Sequence, residues 1–291
     1  MKIGVMLDSF RAGYEEGFRK AASLRASGVS GVQLTVDVGS LTEDALREYP
    51  VRQTLDLLAA NDLELTALCG VSGWNYSDLE ENDECVEKTC RALELSKRLG
   101  CGIVTSHIGP VPEEECGTKE AMRDALNRIS AFGDSVGACF AVETGPEPGR
   151  VLGGLLDSLD GGGVGINFDP ANLVMCSDDR PENALRYLGK YVVHTHAKDG
   201  VMIAKRLGDP CLDPGLRAEL LRSLDRDRVW HELPLGEGDV DFDIYLPALA
   251  AAGFDGYLTI ERETGGTPER DIALAASFLC EKLARHGIPL R

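Results

Sequence analysis

From residue 102 onward, five short apolar runs each end in a residue that can hold a metal ion or move a proton. The first closes on Ser106-His107 and the second on Val142-Glu143-Thr144-Gly145. The third closes on Asn167-Phe168-Asp169-Pro170-Ala171-Asn172, the fourth on His194-Thr195-His196-Ala197-Lys198-Asp199, and the fifth on Ile260-Glu261-Arg262-Glu263. A single carboxylate in such a place is most often a helix cap or an ion-pair partner. Together, Glu143, Asp169, His196 and Glu261 offer three carboxylates and an imidazole. That donor set suits a hard or borderline divalent ion, Mn²⁺ first, with Mg²⁺, Co²⁺ or Zn²⁺ as alternatives. Coordination positions left open for substrate oxygens make such a centre catalytic rather than structural. His194 and His196 are two residues apart, so in a strand they point to the same side. One is expected as the ligand and the other as a hydrogen-bonded core histidine. Lys198 is a candidate substrate anchor or electrophile, with an ion pair to Asp199 or Glu232 as the structural alternative. His107, Glu232 and Trp74 are further pocket candidates, Trp74 as a ring on which a sugar face stacks.

These residues need elements that bring them to one place. Eight strand-like runs alternate with helical patterns: 2–7, 31–36, 63–68, 102–106, 138–142, 163–168, 191–196 and 256–260. Between them, Met122, Ala125, Leu126, Ile129, Phe132 and Val136 form an apolar stripe of helical period. Ile272, Ala275, Ala276, Leu279 and Leu283 form a second, and Val51, Leu55 and Leu58 a shorter third. Gly100 and Gly253 follow helix ends, where a left-handed cap is expected. This alternation predicts a (β/α)₈ TIM barrel, in which the carboxyl ends of the strands converge on one face. An open doubly wound sheet is disfavoured, because the first turn, Leu7-Asp8-Ser9-Phe10-Arg11, lacks a glycine-rich phosphate loop. Residues 1–291 read as one domain, with an extended loop at about 199–243 carrying Arg217, Arg222, Arg226 and Arg228. That loop is a candidate lid or substrate loop, with a decorative or homo-oligomer-forming insertion as the alternative.

Composition narrows the partners. The 291 residues carry 30 Lys and Arg against 48 Asp and Glu, a net charge of −18. Such a chain is ill-suited to nucleic acid, whose binders gain affinity by neutralising phosphates, and to an anionic membrane surface. No run is apolar and long enough to span a bilayer, and the N-terminus turns acidic too early for a signal peptide. Nine cysteines without C-x-x-C pairing fit reduced thiols in a cytoplasm.

Four runs carry a resemblance: Asn-Phe-Asp-Pro-Ala-Asn-Leu-Val from residue 167, Tyr-Val-Val-His-Thr-His-Ala-Lys-Asp from 191, Leu-Gly-Glu-Gly-Asp-Val-Asp-Phe from 235, and Gly-Tyr-Leu-Thr-Ile-Glu-Arg-Glu from 256. They resemble the sugar phosphate isomerase/epimerase family of the xylose isomerase-like TIM-barrel superfamily. The likeness is dense from about residue 100 to 265 and diffuse before that, where Gly-Val-Gln-Leu is the best piece. It implies one divalent metal held by Glu143, Asp169, His196 and Glu261. From the ketose 3-epimerase branch it also implies that Glu143 and Glu261 pass a proton on opposite faces of a sugar or polyol substrate. Two positions depart from that branch. Asn172 stands where a substrate-holding His is expected, and Lys198 where an Arg is. His-x-His-x-Lys-Asp is similar instead to the inosose dehydratase branch, whose members eliminate water from a keto-inositol. A barrel endonuclease for abasic DNA shares the fold, but it needs a three-zinc cluster and more than the five histidines present here.

Overall fold

The computed structural model describes residues 1–36, 48–70, 76–77, 82–224 and 228–291. Eight parallel strands close into a barrel in the order β1-β10-β7-β6-β5-β4-β3-β2. They are β1 (Lys2–Met6), β2 (Val29–Val36), β3 (Glu64–Gly70), β4 (Ile103–Ser106), β5 (Cys139–Glu143), β6 (Val164–Phe168), β7 (Val192–Ala197) and β10 (Tyr257–Ile260). All eight expected runs are therefore barrel strands, with ends shifted by one or two residues.

The outer helices bury the stripes that the periodicity marks. In helix Gly117–Val136, Met122, Ala125, Leu126 and Ile129 are buried against the barrel. In helix Pro268–Arg285 the buried set includes Ile272, Ala275, Ala276, Leu279 and Leu283. In the third stripe Val51 and Leu58 are buried, whereas Leu55 is exposed. Gly100 and Gly253 adopt φ of +88° and +91°, the left-handed conformation that ends a helix without a Cβ clash. No helix among the described residues is long and apolar enough to cross a membrane.

The segment expected as an extended loop is an ordered excursion. Strands β8 (Asp199–Met202) and β9 (Trp230–Leu233) pair antiparallel, with Asp199 opposite Leu233 and Met202 opposite Trp230. Helices Ile203–Leu207 and Pro214–Leu224 lie between them. Val201, Ile203, Leu212, Leu220 and Leu233 form a small core separate from that of the barrel. Arg226 lies outside the described residues.

The return from β9 is fixed by one carboxylate. Asp199 Oδ1 accepts the amides of Gly200 (2.8 Å) and Val240 (3.1 Å), and Oδ2 accepts those of Gly236 (2.9 Å) and Gly238 (3.0 Å). A Cβ at Gly238 would collide with this carboxylate, so the glycine of Leu-Gly-Glu-Gly-Asp is there for close approach. Asp199 is thus an anchor for the excursion and does not pair with Lys198.

Candidate active site

The interior of the barrel is polar towards one end. Gln33 on β2, Thr105 on β4, Asn167 on β6, His194 and His196 on β7 and Thr259 on β10 are all buried. Buried polar groups are stable only when hydrogen-bonded, so their partners define the layer. His194 Nδ1 donates to Asn167 Oδ1 at 2.8 Å, and its Nε2 accepts from Thr259 Oγ1 at 3.0 Å. Burial, reinforced by neighbouring His196, pushes its pKa down to about 3. His194 is the neutral core histidine.

His196 is arranged differently. Its Nε2 donates to Gln33 Oε1 at 3.0 Å, and the Gln33 amide is oriented by donating to Thr105 Oγ1 at 2.9 Å. The Nδ1 lone pair is thereby turned towards the carboxylates. Nδ1 lies 3.5 Å from Glu143 Oε1, 3.6 Å from Asp169 Oδ2 and 3.3 Å from Glu261 Oε2. Among the described residues, the ligand atoms of these four side chains lie within 4.8 Å of one another and form one cluster.

Glu143 ends β5, and its oxygens accept from Asn167 Nδ2 (3.0 Å) and Asn172 Nδ2 (3.1 Å). Asp169 follows β6. Its Oδ1 accepts the amides of Ala171 (2.8 Å) and Asn172 (3.2 Å), which leaves Oδ2 for the cluster. Asp169 Oδ2 and His196 Nδ1 are buried without a hydrogen-bond partner among the described residues. Two orphaned donor atoms facing one point, with a glutamate oxygen on either side, fit a divalent cation.

The electrostatics say the same. Burial alone would raise the Glu143 carboxyl, but His107 and His196 outweigh it and hold it at about 2. Burial would also raise Glu261, and there His196 and Lys198 prevail and hold it well below the carboxylate range. Burial would keep His196 neutral, yet Glu261 and Glu143 drive its pKa well above the usual value. The three carboxylates demand positive charge at their centre, and a metal ion answers that demand better than a proton does.

A cavity of about 610 Å³ opens from the cluster. Lys198, 4% exposed, lies on its wall. Its ammonium is 2.9 Å from Glu261 Oε2, touches Glu263, and is 3.9 Å from Asp169 Oδ2. Neither Asp199 nor Glu232 is its partner. Asn172 also faces the cavity, as does His107, whose Nε2 is 3.5 Å from Glu143 Oε1 on a largely exposed ring. Glu232 is elsewhere, which corrects its reading as a pocket residue. It is buried against Arg262 Nη1 at 2.7 Å, accepts the amides of Glu263 and Thr264, and faces a separate cavity of about 780 Å³. Its charge is neutralised there, and it braces the loop after β10. Trp74 lies outside the described residues.

Residues 20–282 match the family described as xylose isomerase-like TIM barrel. The chain belongs to that family. A curated relative, the rhizopine catabolism protein MocC of Rhizobium meliloti, is 30% identical over 151 residues, 49% of this chain and 41% of the relative. The match thus spans less than half of that relative's length. Among solved structures, a xylose isomerase domain protein from Planctomyces limnophilus superposes with a TM-score of 0.76 at 23% identity, over 98% of this chain and 96% of that one. A D-tagatose 3-epimerase-like protein superposes with a TM-score of 0.70 at 18% identity, over 98% of each chain. At these identities the superpositions establish the shared fold. With the buried cluster, family membership makes this a metal-coordinating active site.

Four residues of this xylose isomerase-like site have no role assigned from the sequence. Gln33 and Asn167 interrupt apolar strand runs, a pattern that marks a buried polar layer. Glu263, two residues beyond Glu261, lines the same cavity. Trp230, on β9, reaches the same cavity from the excursion.

Because His196 carries a proton without the ion and must lose it to ligate, divalent-ion affinity should rise with pH through the neutral range. Calorimetry in buffers of different ionisation enthalpy should detect about one proton released per ion near pH 7. Affinity unchanged between about pH 6 and pH 8 would contradict the arrangement.

Proposed function

We propose that the protein is a metal-dependent isomerase or epimerase of a ketose or keto-polyol, working by carboxylate-mediated proton transfer. The observation that carries this reading is the pair Glu143 and Glu261, on β5 and after β10, flanking the orphaned Asp169 and His196 atoms. Three carboxylates with one imidazole favour Mn²⁺, with Mg²⁺, Co²⁺ or Zn²⁺ as alternatives. Such an ion, when bound, supplies positive charge to the enediolate that forms when a carbon beside a carbonyl loses its proton.

The chain's own residues do the rest. One glutamate takes the proton from the carbon next to the carbonyl, and the C–H electron pair becomes the new C=C bond. The other glutamate returns a proton to the opposite face of that carbon, which gives the epimer; return at the neighbouring carbon gives the isomer. No electrons leave the substrate. Asn172 and Asn167 hold Glu143 by its two oxygens, so its orientation is set before substrate arrives. His107 and Lys198 are placed to bind substrate oxygens, and Trp230 offers a ring face. No disulfide joins any of the nine cysteines, which supports a reducing, cytoplasmic setting.

One observation favours a second reading. The Lys198 ammonium lies at Glu261, while among the described residues Glu143 has imidazoles beside it, His107 and the shared His196. In a lyase of the keto-inositol dehydratase type, a carboxylate takes the C–H proton and Lys198 gives one to the departing hydroxide, releasing water and leaving an enone. A panel of ketoses and keto-polyols with Mn²⁺ in D₂O separates the two. NMR should show deuterium at the carbon next to the carbonyl in recovered sugar for the isomerase, whereas an absorbing enone without such exchange would establish the lyase. Neither signal across the panel would refute both.

A further inference from the structure

The loop that follows β10 is held from several sides, and two of the holds meet at Glu263. Its amide donates to both oxygens of Glu232, at 3.1 and 3.2 Å, and its carbonyl accepts from Arg11 Nη2 at 2.9 Å. Arg11 Nη1 donates to the carbonyl of Gly265 at 2.7 Å, and the amide of Arg262 donates to Ser9 Oγ at 2.9 Å. Arg11 has a φ of +50°, a left-handed conformation uncommon for a residue other than glycine. Such a conformation persists where the surrounding contacts fix it, and here they aim one guanidinium at the loop of the neighbouring strand.

What this loop delivers is the side chain of Glu263. Lys198 is buried, and among the described residues three carboxylates neighbour its ammonium: Glu261 Oε2 at 2.9 Å, Asp169 Oδ2 at 3.9 Å, and Glu263 in direct contact. Two of the three belong to the metal-ligand cluster, and Glu261 meets the ammonium and His196 with the same oxygen. A divalent ion that draws on those oxygens leaves the ammonium with less negative charge and sets a like charge beside it. Glu263 stands outside the cluster. Its side chain is 53% exposed, so it stays ionised at little desolvation cost, and water screens its direct attraction for the ion.

We infer that Glu263 is a positioning residue of the metal centre: it holds the Lys198 ammonium off the ligand oxygens and on the cavity wall, with Arg11 and Glu232 fixing its place, so that one site accommodates an ion and an ammonium together. This rests on the metal-binding reading of the cluster and on no particular reaction.

The test is calorimetry with Mn²⁺ alone on four proteins: wild type, Glu263→Gln, Lys198→Met and the double variant. Glu263→Gln should weaken Mn²⁺ binding about ten- to a hundredfold, the range for groups that support metal ligands. In the Lys198→Met background there is no ammonium to hold, and the same substitution should change the affinity by less than about threefold. Arg11→Asn gives a second route. Asn tolerates the left-handed backbone, is too short to reach both carbonyls, and leaves every charge that lines the cavity in place. It should weaken Mn²⁺ binding by about three- to tenfold, again only while Lys198 is present. Thermal unfolding of the ion-free proteins checks that each variant is folded. Equal losses with and without Lys198 overturn the inference, because a merely structural loop or a direct charge effect acts in both backgrounds. So does a Glu263→Gln variant that binds Mn²⁺ as the wild type does. A wild type that binds no divalent ion removes the metal centre and this inference with it, whereas ion binding without the coupling removes this inference alone.

Discussion

Glu143→Gln and Glu261→Gln should each lower turnover by about 10³-fold or more when Mn²⁺ is saturating. A positioned general acid–base group contributes roughly 10²–10⁴-fold, and each glutamate is also a ligand, so its replacement also loosens the hold on the ion. Saturating Mn²⁺ is needed because either variant should also bind the ion more weakly. The two should differ in their partial reactions. In an epimerase, each carboxylate serves one face of the substrate. Glu143→Gln should therefore retain solvent exchange of one epimer's proton, and Glu261→Gln exchange of the other's, while interconversion is blocked in both. Gln keeps the size of Glu while removing its basicity, and at position 143 its one oxygen still accepts from either Asn167 or Asn172, though its amide nitrogen cannot accept from the other. If both variants kept metal-dependent turnover within tenfold of wild type, the proton-transfer assignment would be wrong.

The four ligands were legible in the sequence because their chemistry lies in residue type and a barrel converts strand ends into neighbours. No partner distance had to be known. The helix stripes were legible for a similar reason, since burial at 3.6-residue spacing is a local property. Residues whose meaning depends on a distant partner were not. Lys198 touches a carboxylate 63 positions away, and the alternative partners considered, Asp199 and Glu232, are satisfied elsewhere. Asp199 answers to backbone amides at 236, 238 and 240, and an amide donor carries no side-chain signal of its partner. Glu232 answers to Arg262, across the mouth of the excursion. The β8 and β9 strands escaped notice because each is four residues long and too polar to alternate.

Lys198→Met should lower kcat by about 10²–10³-fold and move the acid limb of the rate profile to higher pH. The buried ammonium compensates Glu261 Oε2 at 2.9 Å, and removing it leaves Glu261 short of one of the two cations that hold its pKa down. With that pKa raised, Glu261 stays protonated to a higher pH and cannot act as a base there, which fixes the direction of the shift. Lys198→Arg should not restore the rate, because the planar guanidinium is too large for a side chain 4% exposed between Glu261 and Glu263. The size of the loss also bears on the reaction. In an isomerase Lys198 tunes Glu261 and holds a substrate oxygen but passes no proton, so the variant should keep slow exchange of the C–H proton with solvent. In a dehydratase the ammonium supplies the proton that leaves with hydroxide, so enone formation should fall further than C–H exchange. An unshifted acid limb with near-normal kcat would mean that Lys198 is structural, and that the asymmetry between the two glutamates has no chemical consequence.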